Sequence, residues 1–231
     1  METRLGFERG LESLRQAVLD MGMEVDVAIG RSMAALWRRD ADAAQLVIAE
    51  DERINQRRYA LEDATLVLLA TQQPMASDLR LIAAVIHVAT ELERIADHAK
   101  AVAEISLLLD PGPLDTPANT LDEIAGFADR TRTMLGRGLE AFVRIDAEAA
   151  RTIAGEDDEL DAVFGRLYRE LMDRIARQPA AAIESVHMLG VCYNLERISD
   201  RVTNICERTL FKATGRLEEL AGESERLHPA P

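Results

Sequence analysis

Leu92-Glu93-Arg94-Ile95-Ala96-Asp97 and Leu195-Glu196-Arg197-Ile198-Ser199-Asp200 are near-copies, each followed at the same spacing by another acid, Glu104 and Glu207. Every acid in the first string lies 103 residues before its counterpart. Outward from this pair the doubling continues. The segment 40–51 (DADAAQLVIAED) matches 146–157 (DAEAARTIAGED) at an offset of 106, and Gln73-Pro74 matches Gln178-Pro179 at 105. The landmarks keep their order with small deletions between them, so the chain reads as a duplicated unit.

That unit is helical. Strand patterns are weak, and 48% hydrophobic residues with only 4% aromatics suit helices packed on helices. Proline breaks helix interiors, so Pro74, the cluster Pro111, Pro113 and Pro117, and Pro179 partition the chain. The pattern predicts helices over 6–37, 41–71 and 76–109, then over 119–145, 147–177 and 180–214, with Asp40 as a cap. Short connections require antiparallel neighbours. The expected fold is all-α, two pseudo-symmetric three-helix bundles. The first repeat occupies 1–110, a linker 111–118, the second repeat 119–215, and an irregular tail 216–231.

A chain of 231 residues can bury a core without staples. Its net charge of −14 argues against nucleic acid and bare anionic membrane as partners. Cys192 and Cys206 fall within one predicted helix. At 1.5 Å per residue they sit roughly 21 Å apart, too far for a disulfide. Free thiols and the lack of a signal pattern after Met1-Glu2-Thr3-Arg4 lead us to expect a cytoplasmic protein. The longest uncharged run, 64–77, is too short to cross a bilayer.

On a helical wheel with Glu93 at zero, Asp97 lies at about 40° and Glu104 at about 20°, one narrow acidic stripe. Val85, Leu92, Ala96, Ala99 and Val102 form an apolar seam beside it. Glu196, Asp200 and Glu207 repeat the stripe beside Leu195, Ile198, Val202 and Ile205. Like charges at i, i+4 repel, so a stripe built twice invites a cation. Hard oxygens suit divalent or trivalent Fe, Mn, Zn or Mg. A neighbouring helix must supply more oxygens. The repeat offers Asp51 with Asn55, and Asp157 with Asp161. Two rival readings stay open: a metal-dependent enzyme of the carboxylate-bundle type, and a metal-free helical scaffold whose acids pair with arginines. Glu184-x-x-His187 suggests a di-iron bundle, but such bundles need two copies and the aligned positions are Leu81 and Ala84.

At these residues the chain resembles the PhoU family, the phosphate-specific transport system accessory proteins. The resemblance rests on Gln73-Pro74-Met75-Ala76-Ser77-Asp78-Leu79-Arg80, on Glu93-Arg94-Ile95-Ala96-Asp97-His98, and on Glu196 to Glu207, with Asp51-x-x-Ile54-Asn55 upstream. It implies metal ligand roles for Glu93, Asp97, Glu196 and Asp200 first, then Asp51, Asn55, Asp157, Asp161, Asn204 and Glu207. The family pattern has Gly where Ala96 and Ser199 stand and often Asn where Ala101 stands, whereas Asn204 is kept. The resemblance also implies a non-catalytic regulator that represses the phosphate-starvation response when phosphate is plentiful. It would couple a phosphate ABC transporter ATPase to a sensor histidine kinase, as a homodimer reaching the membrane only through those partners.

Overall fold

Asp40 and Asp146 show how the duplicated sequence is punctuated in space. In the computed structural model, which describes residues 2–72, 74–110 and 112–220 (side chains from residue 6), Asp40 accepts the backbone N–H of Ala43 at 2.9 Å. Asp146 accepts those of Glu148 and Ala149. The residue before each, Arg39 and Ile145, has φ of 57°, the left-handed conformation that ends a helix. Backbone bonds from Asp40 to Ala35 and from Asp146 to Ala141 then satisfy terminal carbonyls. For the β-branched Ile145 this conformation is strained, and the cap that follows offsets the cost.

Among the described residues every regular element is helical. The helices are α1 (Glu2–Arg38), α2 (Ala41–Thr71) and α3 (Ala76–Leu108), then α4 (Ala118–Arg144), α5 (Ala147–Ala154), α6 (Asp157–Arg177) and α7 (Ala182–Thr214). A single 3-10 turn, Pro179–Ala181, precedes α7. The helix expected over 147–177 is therefore two helices, and the reason is legible. Gly155 stands where the first copy has Ala49. Alanine carries α2 straight through, whereas glycine costs about 1 kcal/mol in a helix interior, and the chain turns at Gly155-Glu156. This places Asp157 in the first turn of α6, while Asp51 sits inside α2.

The two halves share one continuous core, centred on α3 packed against α7. The predicted seams are in it: Val85, Leu92, Ala99, Leu195, Ile198, Val202 and Ile205 are fully buried. Each large apolar side chain so buried contributes about 1.5–3 kcal/mol. Polar contacts between the halves follow a pseudo-twofold axis. His98 Nδ1 meets Asn194 Oδ1 at 2.9 Å, while Arg201 reaches Glu91 at 3.5 Å. Arg201 is the repeat counterpart of His98, and Asn194 that of Glu91. Asp26 and Arg132, 106 residues apart, are counterparts too, and they meet in a bidentate pair at 2.8 and 2.9 Å. Such reciprocity is the signature of an isologous interface, here inside one chain.

The connection between the halves is tied down. Glu184 accepts the backbone N–H groups of Asp115 and Thr116 and the Thr116 hydroxyl. Arg174 binds the Asp115 carbonyl and carboxylate. Burial works to raise the Glu184 pKa, but these bonds hold it below the ordinary range. The Glu184-x-x-His187 string thus serves as a latch for the linker. Within the predicted tail, residues 216–220 run as irregular chain along the body. Leu220 packs on the core, and Arg151 pairs with Glu218 at 3.3 Å. Gln73, Pro111 and the rest of the tail, 221–231, lie outside the described residues.

Candidate metal centre

The second copy of the motif forms the denser acidic cluster. α7 is fixed by its buried seam, so the same turn must aim Glu196 and Asp200 to one side, toward the start of α6. There Asp157 and Asp161, four residues apart, face them. One carboxylate oxygen from each of Asp157, Asp161 and Asp200 lies within 4.8 Å of the others. Oxygens bound to one cation at about 2.0–2.6 Å lie at most about 5 Å apart, so the donor set fits a metal. Asp157 is nine-tenths buried. Its Oδ2 accepts the Thr203 hydroxyl at 3.1 Å, and among the described residues its Oδ1 has no hydrogen-bond partner.

The electrostatics agree with an unmet demand for positive charge. Burial, then the neighbouring charge of Asp161, pushes the Asp157 carboxyl up to about 6, against the Ser199 and Thr203 hydroxyls beside it. Burial, then repulsion from Glu196, pushes Asp200 up to about 7, although Arg197 opposes this. Arg197 is the built-in cation of this site. It donates to Glu196 through Nε at 2.6 Å and approaches Asp200 at 2.8 Å. Glu196 itself is only 3% exposed.

The first copy is arranged differently. Asp51 is buried, Glu93 half-buried and Asp97 exposed. Lys100 Nζ lies 3.1 Å from Asp51 Oδ2, while Asp51 Oδ1, like Asp157 Oδ1, has no hydrogen-bond partner among the described residues. Arg58, paired with Glu62, brings its Nε to 3.7 Å from Glu93. Partial burial, then Asp97, raises the Glu93 pKa; partial burial, then Asp51, raises that of Asp97. The hydrogen bond to Asp51 chiefly raises that of Lys100.

Two expected ligands are directed elsewhere, and a third is an amide. Glu207 accepts the Leu220 backbone N–H at 2.8 Å. Seven residues beyond Asp200, it is about 10 Å farther along the helix, too distant to share a cation with it. Asn204 donates to Glu91 at 3.2 Å across the pseudo-twofold axis. Asn55 is half-buried on α2, and its amide replaces the third carboxylate that Asp161 gives the second copy. The side chains that sequence reasoning passed over are Lys100, Arg58 and Thr203. Lys100 had a signal, being one of only two lysines in the chain.

A PhoU domain family model matches residues 18–106 and 124–209, one match per repeat. The chain belongs to the PhoU family. It is 32% identical, over 94% of its length, to the phosphate-specific transport system accessory protein PhoU homolog of Clostridium acetobutylicum, 99% of which is covered. Identity to the Caulobacter vibrioides homolog of the same name is also 32%, covering 94% of this chain and 93% of that one. The crystal structure of the phosphate transport system regulatory protein PhoU from Streptococcus pneumoniae superposes with a TM-score of 0.85 at 30% identity, covering 92% of this chain and 99% of that one. PhoU from Pseudomonas aeruginosa does so with 0.85 at 31%, covering 91% and 100%. Among the described residues no helix of this PhoU-family chain is long and apolar enough to cross a membrane.

Proposed function

We propose that this chain is a metal-assisted regulatory adaptor of phosphate uptake. In this reading it couples a phosphate ABC transporter ATPase to a sensor histidine kinase and represses the phosphate-starvation response when phosphate is plentiful. End-to-end likeness to proteins named as accessory and regulatory components of phosphate transport is the observation that carries it. The reading places the protein in the cytoplasm as a homodimer and assigns it no catalysis.

Asp157, Asp161 and Asp200 would hold the metal, with Glu196 behind them. A hard cation such as Fe, Mn, Zn or Mg would neutralise the cluster and fix α6 against α7. The orphaned, buried Asp157 Oδ1 supports this. The test is a gene deletion in phosphate-replete cells, read with a phosphate-starvation reporter. Derepression on deletion, reversed by the unaltered gene, is expected. An unchanged reporter would remove the regulatory reading. Complementation with an Asp157→Asn/Asp161→Asn gene then asks whether the cluster matters to it.

One observation favours a second reading, the metal-free scaffold. The Arg197 guanidinium already bridges Glu196 and Asp200. Elemental analysis of the purified protein separates the two.

A further inference from the structure

The two copies of the acidic motif differ most where their counter-charges stand. Lys100 of α3 and Thr203 of α7 are counterparts, 103 residues apart, and each touches its own cluster's buried aspartate at 3.1 Å. The second copy offers Asp157 a neutral hydroxyl, and the first offers Asp51 an ammonium. Arg58 on α2, which approaches Glu93, has the apolar Phe164 as its counterpart 106 residues later. Asn55 stands where the second copy has Asp161. Of three carboxylates in the first copy (Asp51, Glu93, Asp97), Asp51 therefore meets Lys100 and Glu93 meets Arg58, which also pairs with Glu62. Of four in the second (Asp157, Asp161, Glu196, Asp200), Arg197 meets Glu196 and Asp200. Among the described residues, the converging trio of donors forms in the second copy alone. A lysine ammonium is a compact point charge able to sit where a metal ion would, which a planar guanidinium does less well.

We propose that Lys100, assisted by Arg58, is a built-in cation that takes the metal's place in the first acidic cluster, leaving the second cluster as the one that takes metal. The first donor set does not fit a metal ion while Lys100 is present, because an incoming divalent cation would meet a fixed positive charge against its most buried ligand. The inference rests, for the second cluster, on the metal reading above; for the first it stands on Lys100 alone.

The test uses the full chain loaded with Mn²⁺, desalted, and measured for bound metal. Lys100→Thr copies the second repeat, and Lys100→Gln keeps a hydrogen-bond donor while removing the charge. Either substitution is expected to add bound Mn²⁺. The added metal should survive Asp157→Asn/Asp161→Asn and be lost with Asp51→Asn. Thermal melts give a second readout: in chelator the Lys100 variants melt lower than the unaltered protein, and Mn²⁺ restores them. Mn²⁺ in the unaltered protein that survives Asp157→Asn/Asp161→Asn but is lost with Asp51→Asn would overturn the inference. So would Lys100 variants that fold, by circular dichroism, yet gain no Mn²⁺. If the unaltered protein holds no Mn²⁺ at all, the metal reading of the second cluster fails. The Lys100 variants still score the inference in that case, by gaining metal or not.

Discussion

Raising the pH of the metal-stripped protein from about 5 to 8 should destabilise it, and the second acidic cluster sets the size of the effect. Folding raises the Asp157 pKa from 3.8 to about 6 and that of Asp200 from 3.8 to about 7. For an acid whose pKa is raised on folding, the native state binds more protons than the unfolded chain between the two values. Stability therefore falls as pH climbs through that window. Each tenfold difference in proton affinity is about 1.4 kcal/mol, so Asp157 contributes about 3 kcal/mol over its whole window, roughly half of which remains to be lost above pH 5. The two carboxyls repel each other, and adding their shifts would count that repulsion twice. Between pH 5 and 8 a joint loss on the order of 2–4 kcal/mol follows. At about 2–4 °C per kcal/mol for a chain of this length, that is a fall in Tm of roughly 10 °C.

Other groups titrate in the same range. Glu93 and Asp97, also raised, act in the same direction. His87 and His98, lowered chiefly by burial, act in the opposite one, gaining stability as pH rises. The Cys192 and Cys206 thiols, pushed up to about 12 by burial, titrate above the window. The assay is thermal unfolding by circular dichroism in chelator across this pH range, for the unaltered protein and for Asp157→Asn/Asp200→Asn, whose profile should be flatter. Excess Mn²⁺ should lift the melting temperature far more at pH 8 than at pH 5. Equal slopes for the two proteins would refute the reasoning.

Other perturbations have definite expectations. Arg197→Met removes the guanidinium that meets both oxygens of the buried Glu196, and should cost about 3 kcal/mol in urea unfolding, less when Mn²⁺ is present. A double-mutant cycle on Asp26 and Arg132 should give a coupling under about 1 kcal/mol, because both are about a third exposed despite bidentate geometry. Phe142→Ala, at a side chain 1% exposed, should cost about 3–5 kcal/mol by the same assay. Glu184→Ala should release the linker and speed limited proteolysis within 112–117, leaving the helical circular dichroism signal unchanged.

The sequence by itself determined the helices and their duplication, because a 3.6-residue apolar period, prolines and Asp caps are local signals that need no knowledge of neighbours. It placed Leu92 and Val202 in the core and Glu93, Asp97, Glu196 and Asp200 on one face, since helix geometry fixes those angles. Even the break between α5 and α6 was written in it, as Gly155 against Ala49, though periodicity alone passed over it. What only the tertiary structure decided was which cations meet those acids. Lys100 and Asp51 lie on different helices, Arg58 reaches Glu93 from α2, and Arg197 folds back along α7. Those encounters depend on how the helices pack, and a charge becomes costly or satisfied only once neighbours have removed its water. For that reason two strings that read alike became two unequal sites.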